Sequence, residues 1–185
     1  MTEFNILRAA DRKGVPWKNG GGLTEEVAVH PPGADYDDFL WRVSIATISG
    51  ESAFSILPGV CRLFCTLEGR LSIKINGQSQ DIGPDDPAIR FDGSSTVSAR
   101  PLDGPTRNFN LMTRKGFSGS LTQMSGIFCL SGDIALLLAT QPTTVTIGEC
   151  PMLLDSLDVL SLQHVQCCAI QSSAPVSCAE ITSSV

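Results

Sequence analysis

The run LWRVSIATI, Leu40 to Ile48, places Leu40, Arg42, Ser44, Ala46 and Ile48 on one side and Trp41, Val43, Ile45 and Thr47 on the other. A two-residue period belongs to an extended strand, because successive side chains of a strand leave opposite faces. The same signature recurs along the chain. VCRLFCTLEGRLSIKI, Val60 to Ile75, reads as two strands turning at Glu68-Gly69-Arg70, and Asn76-Gly77 is a tight hairpin turn. QDIGPDDP (Gln80 to Pro87) is a turn cluster before a short strand at Ala88 to Asp92. Thr106 to Thr113 puts Asn108, Asn110 and Met112 on one face. Leu121 to Met124, Gly126 to Leu130, Ile134 to Ala139, Thr143 to Ile147, Val159 to Leu162 and Val165 to Ile170 continue the series. Strands at this spacing indicate an all-β sandwich or barrel. Only PMLLDSL, Pro151 to Leu157, reads as a short helix, opened by its proline.

Charge divides the chain near Lys115-Gly116. Every Lys and Arg lies between Arg8 and Lys115, while the acids Asp133, Glu149, Asp155, Asp158 and Glu180 follow with no basic residue among them. We therefore expect two β halves, residues 1–115 and 116–185, sharing a sheet or a core. Any anion held by a cationic side chain belongs to the first. The polar tail from Gln171 reads as an edge strand with a loose end. A net charge of -6 argues against a nucleic-acid surface, which needs clustered cations. No apolar run reaches the roughly 18 residues of a membrane-spanning helix, and the first ten residues lack a signal-peptide pattern, so the expected location is the cytoplasm.

Seven cysteines, with no C-x-x-C pair, fit neither a disulfide framework nor a zinc finger. They read as buried thiols acting as small hydrophobes. The two histidines, His30 and His164, lie in different halves, and no H-x-H occurs, so no metal site and no cofactor are expected. G-x-S-x-G is absent, and no nucleophile motif adjoins either histidine.

The stretch PWKNGGGLTEE, Pro16 to Glu26, packs three glycines behind a tryptophan, a lysine and an amide. A phosphate-binding loop would lead into a helix. Here Leu23, Glu25, Val27 and Val29 alternate with Thr24, Glu26, Ala28 and His30, which is strand spacing. The glycines instead permit a turn that brings Trp17, Lys18 and Asn19 over a barrel mouth.

That stretch resembles the signature of the HutD/Ves family. Further matches follow in order: Trp41-Arg42-Val43-Ser44-Ile45-Ala46, Phe54-Ser55 with Pro58-Gly59, Arg62, Leu67-Glu68-Gly69 and Phe109-Asn110-Leu111-Met112. The resemblance implies a cupin-type β-barrel in a bicupin arrangement of two related β halves. It also implies an association with histidine utilisation, whose expression such proteins are thought to restrain without a demonstrated enzymatic step. Asn108 stands where the family often carries an acidic residue, which leaves a carboxylate role at that position without its residue.

Within such a barrel, Arg42 and Ser44 share a face of an otherwise apolar strand, and a buried arginine needs a partner. Two partners fit: the carboxylate of Glu26, or a ligand carboxylate held by the arginine fork with help from Ser44 and Asn110. Arg62 has the same two readings, with Glu68 or an Asp as the internal partner. Lys18 and Asn19 add an anion contact at the mouth, and Trp17, Trp41, Phe109 and Met112 are expected to line or cover the pocket. The leading expectation is a non-enzymatic, small-molecule-binding bicupin that modulates histidine utilisation by holding an anionic intermediate, N-formylglutamate or urocanate. The alternative is a metal-independent isomerase or hydrolase acting on a small carboxylate, with Glu26 as general base. Exposed strand edges make a homodimer reasonable.

Overall fold

A computed structural model describes residues 3–130, 132–165 and 168–184. Among these the only helical element is one 3-10 turn, Ala9–Asp11, and no helix is long and apolar enough to cross a membrane. The chain forms two compact units, one of Lys13–Lys115 and one joining the residues up to Arg12 with those from Gly116 on. The first strand, β1 (Glu3–Leu7), belongs to the second of these.

The Lys13–Lys115 unit is built from β2 (Gly14–Pro16), β3 (Gly22–His30), β4 (Trp41–Ile48), β5 (Ser52–Ala53), β6 (Val60–Glu68), β7 (Leu71–Ile75), β8 (Gln78–Ile82), β9 (Ile89–Asp92), β10 (Val97–Pro101) and β11 (Thr106–Arg114). One sheet runs β2-β3-β4-β11-β6-β9 and the other β5-β10-β7-β8. They close on an apolar cluster drawn from both: Ile48, Phe64 and Phe91 from the first, and Leu71, Ile73, Ile82, Val97 and Ala99 from the second. Asn76 and Gly77 both adopt positive φ, 49° and 89°, which the tight hairpin between β7 and β8 requires.

The second unit adds β12 (Phe117–Leu130), β13 (Ile134–Ala139), β14 (Thr143–Ile147), β15 (Cys150–Leu154), β16 (Val159–Gln163) and β17 (Cys168–Ser183) to β1. Its sheet runs β1-β16-β13-β17-β14-β15, with β12 paired along β17. β12 spans both expected strands of its region, and a register shift between Met124 and Gly126 marks where the two would have been divided. Leu130, Ala135, Leu137, Ala139, Val145, Leu160, Leu162, Ile170, Val176 and Cys178 pack as one apolar cluster.

Three expectations are corrected here. The tail from Gln171 is no edge strand: it lies in β17, which pairs with β12, β13 and β14 and buries Val176, Cys178, Ala179 and Ile181. Pro151 to Leu157 is not helical, because β15 carries its first part and a turn its second. In that turn the Asp158 carboxylate accepts hydrogen bonds from the backbone N–H of Asp155 at 3.0 Å and of Ala9 at 2.8 Å, and from Arg8 Nη1 at 2.7 Å. The cysteines are not uniformly buried: Cys178 is, Cys61 and Cys65 are half-buried, and Cys129 and Cys150 are exposed. Cys167 lies outside the described residues.

Candidate functional site

Cross-strand pairing in the larger sheet of the Lys13–Lys115 unit assembles the site in rows. One row runs Arg42 (β4), Met112 (β11), Arg62 (β6), and the next runs Glu26 (β3), Ser44, Asn110, Phe64. A third follows with Thr24, Ala46, Asn108, Thr66. Alternation sends these even-numbered side chains inward together. All of them but Asn108 and Thr66 line a cavity of about 770 Å³, within the usual range for a small-molecule site. A bulge in β3 between Glu26 and Ala28 ends the inward run of that strand.

Trp17, Lys18 and Asn19 also line the cavity, carried by the glycine turn. The indole Nε1 of Trp17 donates to Thr24 Oγ1 at 2.7 Å, and its ring meets Phe54 edge-on at 6.4 Å. Asn19 Oδ1 accepts from Gly21 N at 3.1 Å, closing a local turn. The glycines serve different needs. Gly20 takes a positive φ of 72°, whereas a Cβ on Gly21 would overlap Ser52 Oγ and one on Gly22 the carbonyl oxygen of Thr47.

The two arginines of the first row have different surroundings. Arg42 Nη1 is 2.7 Å from Glu26 Oε2, and its guanidinium lies 4.4 Å from the centre of the Tyr36 ring. Arg62 is 7% exposed and lies 5.0 Å from the Phe54 ring centre and 5.3 Å from that of Phe91. Its Nη1 donates to the Ser55 carbonyl oxygen at 3.3 Å, and its Nε is buried without an acceptor. No carboxylate among the described residues forms an ion pair with it. The expected partner Glu68 lies six residues along β6, about 20 Å away at the strand's rise, and pairs instead with Arg107 at 3.0 Å. Burial pulls the Arg62 guanidinium down to about 10, against a smaller favourable influence of Tyr36, so at neutral pH it remains a cation.

Two expected lining residues lie elsewhere. Trp41 and Phe109 are odd-numbered on strands whose even positions face the cavity, so alternation turns them to the opposite face. Trp41 stacks on His30 at 5.8 Å, and Phe109 is fully buried. Asn108, also fully buried, donates from Nδ2 to Thr106 Oγ1 at 3.0 Å and to the Ala46 carbonyl at 3.4 Å. No pattern in the sequence marked Tyr36. It enters the cavity from the β3–β4 loop, and only the folded loop reveals it.

Among the described residues no group of three or more His, Cys, Asp and Glu is placed to hold a metal ion. Burial raises the thiols of Cys65 and Cys178 to about 12, which disfavours the nucleophilic thiolate. The cavity wall thus carries Lys13, Lys18, Arg42 and Arg62 against the single carboxylate of Glu26. The wall therefore has an excess of positive charge beside apolar sides such as Phe54, Leu57 and Phe64.

The HutD family model matches residues 9–180. This chain belongs to the HutD family. A relative described as an uncharacterised 21.2 kDa protein in the hutC 3′ region of Pseudomonas putida is 41% identical over 114 residues, covering 60% of this chain and 59% of that protein. Protein Ves of Citrobacter koseri is 37% identical over 102 residues, covering 54% and 52%. The match thus spans little more than half the length of these curated relatives. The solved structure of HutD from Pseudomonas fluorescens SBW25 superposes with a TM-score of 0.85 at 26% identity, over 99% of this chain and 100% of that one. A cupin 2 conserved barrel domain protein from Leptotrichia buccalis superposes at 0.57 with 7% identity over 92% of each chain, a likeness of fold alone. The HutD-family chain therefore has the expected cupin-type β architecture.

Proposed function

We propose that this HutD-family protein binds a small carboxylate in the cavity of the Lys13–Lys115 unit without transforming it, and that this binding modulates histidine utilisation. The observation that carries the reading is Arg62. A buried guanidinium without a carboxylate pays a desolvation cost that a bound carboxylate would offset. Arg42 is already neutralised by Glu26, so the anchor moves to Arg62, with Ser44 and Asn110 beside it and Lys18 and Asn19 at the mouth. The link to histidine utilisation rests on the family and on the hutC-region relative. N-formylglutamate and urocanate are the candidate ligands.

Against an enzymatic role for Glu26 stands its engagement with Arg42 at 2.7 Å and its side-chain exposure of 41%. A general base needs a carboxylate that is drier and less committed than this one.

Isothermal titration calorimetry of wild type, Arg62→Met and Arg42→Ala against both ligands tests the proposal. Saturable binding should appear in wild type, vanish in Arg62→Met and weaken in Arg42→Ala. Equal binding by wild type and Arg62→Met would remove the anchor, and no heat with either ligand in a folded wild type would remove the carboxylate reading itself.

A further inference from the structure

Tyr36 is the chain's one tyrosine. Its ring covers the guanidinium of Arg42 at 4.4 Å, and it lines the same cavity as Arg62, which shares a cross-strand row with Arg42 through Met112. The ring therefore covers the paired cation in the row that also carries the unpaired one.

Its loop is held by the backbone. Arg114 Nη2 donates to the Tyr36 carbonyl oxygen at 3.0 Å, while Asp35 Oδ1 accepts from the N–H of Asp37 at 2.8 Å and of Asp38 at 3.3 Å. Phe39 N donates to the Asp35 carbonyl at 3.3 Å, and the fully buried Phe39 ring meets Tyr36 edge-on at 6.5 Å. Arg42 occupies the face of the tyrosine ring, which leaves the hydroxyl for another use. Among the described residues that hydroxyl makes no hydrogen bond.

We propose that the Tyr36 hydroxyl and the Arg62 guanidinium hold the same ligand carboxylate, and that together they select an ionised carboxylate over a carboxamide. This rests on the Arg62 reading above. An arginine offers donors only, so the group that faces it must present lone pairs. A carboxylate presents them on both oxygens. A carboxamide that turns its NH₂ toward Arg62 leaves a donor of that buried cation unmet, and one that turns it toward the phenol, whose oxygen can accept, forfeits the charge-assisted bond that a carboxylate takes from the hydroxyl. The phenol adds a third donor, free to rotate toward the anion, and the Arg42–Glu26 pair fixes the ring without competing for the ligand.

The test is calorimetry of urocanate and its carboxamide against wild type, Tyr36→Phe and Arg62→Met, with thermal unfolding of each variant. Tyr36→Phe keeps the ring on Arg42 and removes only the hydroxyl. It should bind urocanate about ten- to a hundredfold more weakly than wild type, the effect of one hydrogen bond to a charged group. Its preference for urocanate over the carboxamide should shrink, because the carboxamide loses only a neutral hydrogen bond, with an unchanged melting temperature. Wild-type affinity for urocanate in Tyr36→Phe, or an equal loss for both compounds, would overturn the proposal. Should Arg62→Met lose binding while Tyr36→Phe keeps it, the anchor stands and only the role of the tyrosine falls. Should wild type bind neither urocanate nor N-formylglutamate, both fall.

Discussion

The inward row of β4 reads Arg42, Ser44, Ala46, while in β13 Ala135, Leu137 and Ala139 join one apolar cluster. Both strands are central in antiparallel sheets and both alternate with the same period. The difference lies in what the row carries. In the second unit, aliphatic residues from β13, β14, β16 and β17 meet in a filled core. In the Lys13–Lys115 unit, arginine, serine and asparagine cannot pack as densely without unmet polar atoms, and a cavity remains. The architecture allows a pocket, and the polar row keeps it open.

The most damaging change should be Gly22→Val, whose Cβ would overlap the Thr47 carbonyl and break the β3–β4 pairing that positions Glu26. A loss of more than about 3 kcal/mol in urea unfolding is expected. A folded variant of near wild-type stability would show that the glycine turn is not sterically required. Next comes Leu137→Ala in the filled core, fully buried, with an expected loss of about 2–5 kcal/mol. A loss below about 1 kcal/mol would mean that this interior is less tightly filled than its side chains suggest.

Asp158→Asn should cost about 1–3 kcal/mol at neutral pH, because the amide replaces an acceptor of three hydrogen bonds. Burial pushes the Asp158 carboxyl up, but the bonds from Ala9, Arg8 and Asp155 outweigh it and leave it below the usual carboxylate range. A lowered folded-state value contributes stability above the unfolded value of about 3.9, and that contribution is lost as pH falls through the folded value. The difference between wild type and Asp158→Asn should therefore shrink on acidification, as chemical unfolding at stepwise lower pH would record. The smallest effect belongs to Arg62→Met without ligand. Removing a buried cation that has no counter-charge should change stability by less than about 1 kcal/mol, or raise it. A loss above about 3 kcal/mol would instead mark Arg62 as a structural element and close the contrast between the two interiors.

Strand positions were readable because a two-residue period survives in any environment: β4, β11, β13 and β14 lie where LWRVSIATI, TRNFNLMT, IALLLA and TTVTI put them. Pairing was not readable. The polar tail from Gln171 looked peripheral, since its composition says nothing of three strands meeting along it. The same limit governs the site. Alternation sufficed to put Arg42, Ser44 and Asn110 on inward faces, and followed strictly it would have excluded Trp41 and Phe109. It could not tell which arginine takes Glu26, because that follows from the register of β3 on β4. Tyr36, on a loop without period, left no signal at all.

The pairing of β1 has a consequence for the order in which the molecule assembles. During synthesis Glu3–Leu7 leaves the ribosome long before its partner strand, for Glu3 pairs with Gln163 and Leu7 with Val159. The whole Lys13–Lys115 segment emerges between these partners, so it can complete its own sheets while β1 still waits. Closing so distant a contact costs chain entropy before it returns any stability. The second sheet is therefore the slow one, and until β16 and β17 emerge its apolar strands are exposed to other chains and to chaperones.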